Sequence, residues 1–147
     1  MDNVFTNSEI NMAMGELLLA IDEDEERVKR QIQTLINRIP EVAASRPVTV
    51  LYVFSENPAG ASVAQIQSAR IAEDRLQEAG ISVTLTERSG DPATEILEYT
   101  KQADVDLICL AGRKRSPTGK ALFGSVTQDV ILRTKLPVLI AEERSQE

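Results

Sequence analysis

Four cations and no anion fall between Ala111 and Ser125, in "AGRKRSPTGKALFGS", within a chain whose 23 acids outnumber its 16 bases. Arg113, Lys114, Arg115 and Lys120 are donors that match phosphate or carboxylate oxygens through charge-assisted hydrogen bonds. The stretch closes on Gly124-Ser125, just ahead of the apolar-periodic "VTQDVIL". A helix starting there leaves its first backbone N–H groups without intrahelical acceptors, and with the serine hydroxyl these make an anion-binding end. The cations alone fit a solvated loop, or acids of another subunit, equally well. Joined to a helix-opening Gly-Ser behind a buried strand, they favour phosphate.

Other chemistries are excluded by what is missing. The chain has no histidine, which removes Ser-His-Asp and Cys-His nucleophile pairs and zinc sites built on imidazole. Its one cysteine, Cys109, sits in the apolar run "DLICLAG" and is expected in the core. "TGK" (118–120) is not a P-loop ending, because Ala121 follows Lys120 and six residues separate Gly112 from Gly119. No G-x-G-x-x-G is present, and the acidic run Asp22 to Glu26 repels a polyphosphate placed against it. An Asp-rich receiver domain is a poor fit, since the strand that should carry its phosphoacceptor ends in Glu87 and Arg88. The phosphate loop holds cations and no general base, so no catalytic residue is assigned and any hydrolysis is expected to be slow and incidental.

These residues need elements to hold them. "ELLLAI" (16–21), "VTVLYVF" (48–54), "DLICLA" (106–111) and "LPVLIA" (136–141) are apolar without alternation, as strands covered on both faces are. "ISVTLTE" (81–87) alternates, which fits a strand near a sheet edge. Between them the apolar spacing becomes helical. Val28, Ile32, Leu35, Ile36 and Ile39 define a first helix ended by Pro40, and Val63, Ile66, Ala69, Ala72, Leu76 and Ala79 a second closed by Gly80. Asp91-Pro92 opens a third as N-cap and first helical residue, and a fourth runs from near Gly124 to about Arg133. Strand and helix alternate throughout, so the fold class is α/β: a five-stranded parallel sheet sandwiched by helices, doubly wound and Rossmann-like. Ligands of such sheets sit beyond the C-terminal strand ends, where the strand order reverses.

With those motifs in place, "DVDLICLAGRKRSPTGKALFGSVTQDVILRTKLPVLIA" resembles the C-terminal half of the universal stress protein family. ATP-binding members of that family carry G-x2-G-x9-G-[ST] between the fourth strand and fourth helix. "LLLAID" and "GDPATEILEYTKQADVDLI" extend the resemblance over about residues 16 to 141. It implies the adenine nucleotide alpha hydrolase-like variant of the fold and ATP, with Mg²⁺, as ligand. Asp22 and the backbone of Ala20 and Ile21 would meet the adenosine, and the Val53 backbone the adenine. Gly112 would begin the phosphate loop, and Gly124, Ser125, Val126 and Thr127 would cradle phosphate and ribose. Val53 and Val126 are equally at home in the core of any such domain, and Asp22 equally suits a helix cap. The glycine pattern itself is altered: Arg115 stands at the second glycine, and eleven residues separate Gly112 from Gly124 where the motif has twelve. Anchored at Gly124, the pattern puts Ala111 and Lys114 at the first two glycines. Arg113 and Arg115 are then expected to reach the phosphates directly.

A single domain over residues 15–142 follows from the length of 147 residues, with 1–14 as an N-terminal tail. A net charge of −7 and 3% aromatic residues disfavour nucleic acid, and no apolar stretch approaches the roughly 20 residues of a membrane span. The chain is therefore expected in the cytoplasm. The last strand, Leu136 to Ala141, has no following helix, and its open edge points to a homodimer, which the resemblance also implies. Three functions remain open: a stress-linked regulator binding an adenine nucleotide, as the resemblance implies, a nucleotide-free dimeric interaction module, and an ATP-using transferase.

Overall fold

The computed structural model describes residues 15–57, 59–112 and 123–141. Five strands, β1 (Glu16–Ile21), β2 (Val48–Phe54), β3 (Val83–Ser89), β4 (Val105–Ala111) and β5 (Val138–Ala141), make one sheet in the order β3-β2-β1-β4-β5. Every pairing is parallel. The helices are α1 (Glu25–Arg38), α2 (Pro40–Ala44), α3 (Gln67–Glu78), α4 (Pro92–Gln102) and α5 (Ser125–Arg133).

The unbroken apolar run of β1 has a direct cause. Leu17, Leu19 and Ile21 pack into a cluster with α1 and α3, while Leu18 and Ala20 pack into a second cluster with α4 and α5. Both faces of the central strand are covered, so both sets of alternating side chains must be apolar. Edge strand β3 is only half-buried, as its alternation predicts.

Several boundaries differ from the sequence expectation. Pro40 does end the first helix, with Ile39 as C-cap, but it also occupies the first turn of the short α2, where a missing N–H costs nothing. The stripe from Val63 to Ala79 is carried by two elements rather than one helix. Ser62 and Gln65 form a capping box around a 3-10 turn, Val63–Gln65, and Ile66 is extended before α3 begins. Val63 and Ile66 still reach the same apolar cluster, which is why their spacing imitates a continuous helix. Strand β3 lies two residues later than 81–87, at Val83–Ser89, and β5 is shorter than 136–141, at Val138–Ala141. Ile81 instead fills the core beyond Gly80, whose φ of 78° turns the chain at the end of α3.

Candidate functional site

The chain leaves β1 toward β2 and β3 on one side, then crosses to β4 and β5 on the other. Strand order therefore reverses between β1 and β4. β1 stays paired with β2 as far as Ile21↔Tyr52, whereas its pairing with β4 ends at Leu19↔Cys109. Beyond that rung the two strands part and a crevice of about 290 Å³ opens. Ala20, Leu51 and Leu110 line it from the sheet, Pro92 and Ile96 from α4, and Gly124–Thr127 from the start of α5.

The structure gathers most of the expected residues around this one opening. Ala20, Ile21 and Asp22 at the end of β1 face it together with Val53 of β2 and Ala111 of β4. Gly124, Ser125, Val126 and Thr127 complete it from the opposite wall. Gly112 directs its N–H to the Ala141 carbonyl of β5 (2.8 Å). Arg113 and Arg115, with the rest of the basic loop to residue 122, lie outside the described residues, as do residues 1–14.

Asp22 is more constrained than its position in the sequence indicates. Its carboxylate pairs with the Arg27 guanidinium and accepts from the Asp24 N–H (3.0 Å). Its main-chain carbonyl accepts from the buried Ser68 hydroxyl (2.7 Å). It does not cap α1, a role taken by Asp24, which accepts from the Arg27 N–H (3.0 Å). That hydrogen bond, aided by the Arg27 charge, holds the Asp24 carboxyl below its usual range despite some burial. Tyr52, also at the crevice, has its phenol pushed up by burial and then by the charges of Glu23 and Asp22, so it stays protonated.

Two buried polar side chains stand where the strands part. Gln31 of α1 has no exposed surface, and its Nε2 donates to the Ala20 carbonyl (2.9 Å). Because that carbonyl can only accept, the amide orientation is fixed by its partner. The other amide atom, Oε1, is buried with no partner among the described residues. Leaving such an acceptor unpaired costs about 1–3 kcal/mol. From the opposite face, the Thr127 hydroxyl of α5 donates to the Ala111 carbonyl (2.9 Å). The N-cap of α5 is Gly124, which has no side chain to cap the helix, and among the described residues no side chain caps that end, which borders the crevice.

Gln31, Arg27, Tyr52 and Ser68 are not among the residues singled out from the sequence. One of them left a visible trace: Gln31 falls three residues after Val28 and four before Leu35, a polar residue inside an apolar stripe. Arg27 and Ser68 gave none, because their roles depend on how α1 and α3 stand over the end of β1.

A doubly wound parallel α/β domain, with a crevice at its switch point bordered by the start of a helix, is the class this geometry defines. The chain belongs to the universal stress protein family, whose sequence profile matches residues 14–142. It is 37% identical over 68 residues to a universal stress protein of Mycolicibacterium smegmatis, covering 46% of this chain and 52% of that protein. It is 33% identical over 69 residues to the universal stress protein YxiE of Bacillus subtilis, covering 47% of each. The chain spans about half the length of the curated relatives it matches. Among solved structures, a universal stress protein from Archaeoglobus fulgidus superposes with a TM-score of 0.70 at 24% identity, over 86% of this chain and 97% of that one. An Arabidopsis thaliana family member with AMP bound gives 0.66 at 15% identity, over 90% and 94%. A universal stress protein in complex with cAMP gives 0.64 at 21%, over 88% and 97%. At these identities the superpositions show the fold.

Proposed function

We propose that the crevice between β1 and β4 binds an adenine nucleotide, ATP with Mg²⁺ in its fullest form, and that the protein works as a stress-linked regulator. The observation that carries this reading is the open N-terminus of α5 facing the switch-point crevice, a donor set suited to phosphate oxygens. The apolar floor of Ala20, Leu51 and Leu110 is suited to a base, and relatives of the same fold were solved with AMP, dAMP and cAMP. The basic loop adds charge for the outer phosphates. The nucleotide is a bound ligand rather than a consumed substrate, because the chain has no histidine and Asp22 is tied to Arg27. We propose further that the protein is cytoplasmic and pairs with a second copy through β5.

Isothermal titration calorimetry with ATP, AMP and Mg²⁺ at low and high KCl tests the reading. A micromolar dissociation constant for ATP, with AMP weaker, is the expected result. Absence of heat with every nucleotide at both salts sinks it. The paired state of the Asp22 carboxylate favours one second reading, a nucleotide-free interaction module, which that outcome would bring forward. Steady ATP turnover lost in Asp22→Ala would instead support the transferase.

A further inference from the structure

The backbone directions at the switch point can be read from hydrogen bonds around it. Glu16 N–H donates to Asp104 and Leu17 N–H to Pro47, so in β1 the even residues present N–H and C=O to β4 and the odd ones to β2. In β4, Ile108 N–H donates to Pro137 and Gly112 N–H to Ala141, so Ala111 presents its N–H and C=O to β1. The rung after Leu19↔Cys109 would be Ala111 N–H to Ala20 C=O, and it is not made. Instead Gln31 Nε2 fills the Ala20 carbonyl and the Thr127 hydroxyl fills the Ala111 carbonyl.

We infer that Gln31 is a positioning residue that holds the β1–β4 seam open. By taking the Ala20 carbonyl it prevents the next rung from closing and leaves the Ala111 N–H as a donor at the crevice. An acceptor atom of the ligand, a ribose hydroxyl or a phosphate oxygen, takes that donor. This identification of the occupant rests on the nucleotide reading; the open seam does not. An amide that served only to fill the core would be poorly chosen, since its Oε1 is buried with no partner among the described residues, whereas with a leucine or methionine the Ala20 carbonyl could take the Ala111 N–H and nothing would stay unsatisfied. Its place within the apolar stripe, lining the crevice, is explained by the seam it controls.

Amide hydrogen exchange on the full chain without ligand tests this. In the wild-type protein the Ala111 amide is expected to exchange about tenfold or more faster than that of Cys109, which lies on the last formed rung. Gln31→Met keeps length and apolar bulk but removes the donor. The Ala111 amide is then expected to slow by about tenfold or more, with the melting temperature unchanged or raised and AMP bound about tenfold or more weakly. A purely structural glutamine would lose stability without protecting Ala111. Equal protection of Ala111 and Cys109 in the wild type overturns the inference, and so does an Ala111 amide equally fast in both proteins. If Gln31→Met does not fold, Gln31→Leu, which likewise removes the donor, takes its place in the same comparison. Failure of the wild type to bind either ATP or AMP defeats the nucleotide reading without touching the exchange result.

Discussion

Gly124 sets how closely anything can approach the start of α5. Its φ of −69° and ψ of 163° are open to any residue, so replacing it tests space and not backbone strain. Gly124→Val is expected to reduce AMP affinity by about tenfold or more, read by calorimetry, while the melting temperature moves by no more than about 2 °C. Cys109 illustrates the opposite case, a reactive group made inert. Burial pushes its thiol from 9.0 up to about 12, with a small opposing contribution from the neighbouring Gln31 amide. At pH 8 the folded protein should therefore resist a thiol reagent that labels it fully in urea. The raised value also carries a sign for stability: between 9.0 and about 12 the unfolded thiol loses its proton while the folded one keeps it. Stability contributed by Cys109 is thus complete below pH 9.0 and lost as pH rises through about 12. A denaturation series across that window should show a steeper alkaline fall in the wild type than in Cys109→Ala. Individual side chains could be read from the sequence only where chain neighbours determine them. Asp22 was visible at the end of "LLLAID", but the Arg27 and Ser68 that clamp it act across space.

Helix ends give the secondary elements their definition. Asp91 caps α4 by accepting from Thr94 N–H (3.0 Å), with Pro92 at the first helical position, as "GDPA" indicates. Asp24 does the same for α1 within a run of five acids, a composition that conceals which acid is the cap. Asp24→Ala is expected to cost about 1 kcal/mol at neutral pH, measured by urea denaturation. Because the folded carboxyl titrates below its ordinary 3.8, the charged cap stabilises above that value and its contribution disappears as pH falls through the lower folded value. The difference between the two proteins should shrink accordingly in acid. The elements that sequence patterning places well are those whose period and caps agree, such as α4 and β2. It fails at Val63, where a capping box inserts a 3-10 turn without disturbing the apolar spacing, since packing demands the same face from both segments.

For the molecule as a whole, alternation of strand and helix is readable from composition and period, whereas the order β3-β2-β1-β4-β5 is not, because each crossover is compatible with either side of β1. That order places β5 at an edge. Pro137 and Ala141 turn their carbonyls to β4, so Val138 and Ile140 present theirs outward with their N–H groups. If a second copy pairs there, as proposed, light scattering at micromolar concentration should give twice the mass of one chain. Ile140→Pro removes an outward N–H without removing a bond to β4, a substitution that edge strands tolerate. It should return the protein to a monomer, with some loss of melting temperature because the Ile140 side chain also packs on the core; a wild-type monomer would remove the proposed dimer altogether.

The reversal of strand order also imposes a timetable on synthesis. As the chain leaves the ribosome, β1, β2 and β3 can lay down three of the five strands with α1 and α3 over one face, all from residues before Gly90. The other flank of β1 stays bare until β4 arrives, and the wall of the crevice formed by the start of α5 is absent until that helix has been made. A ligand of this crevice therefore meets only one of its walls on a nascent or truncated chain. Its capture would mark a finished domain, and the stabilisation it brings would protect completed molecules selectively over fragments exposed to proteases.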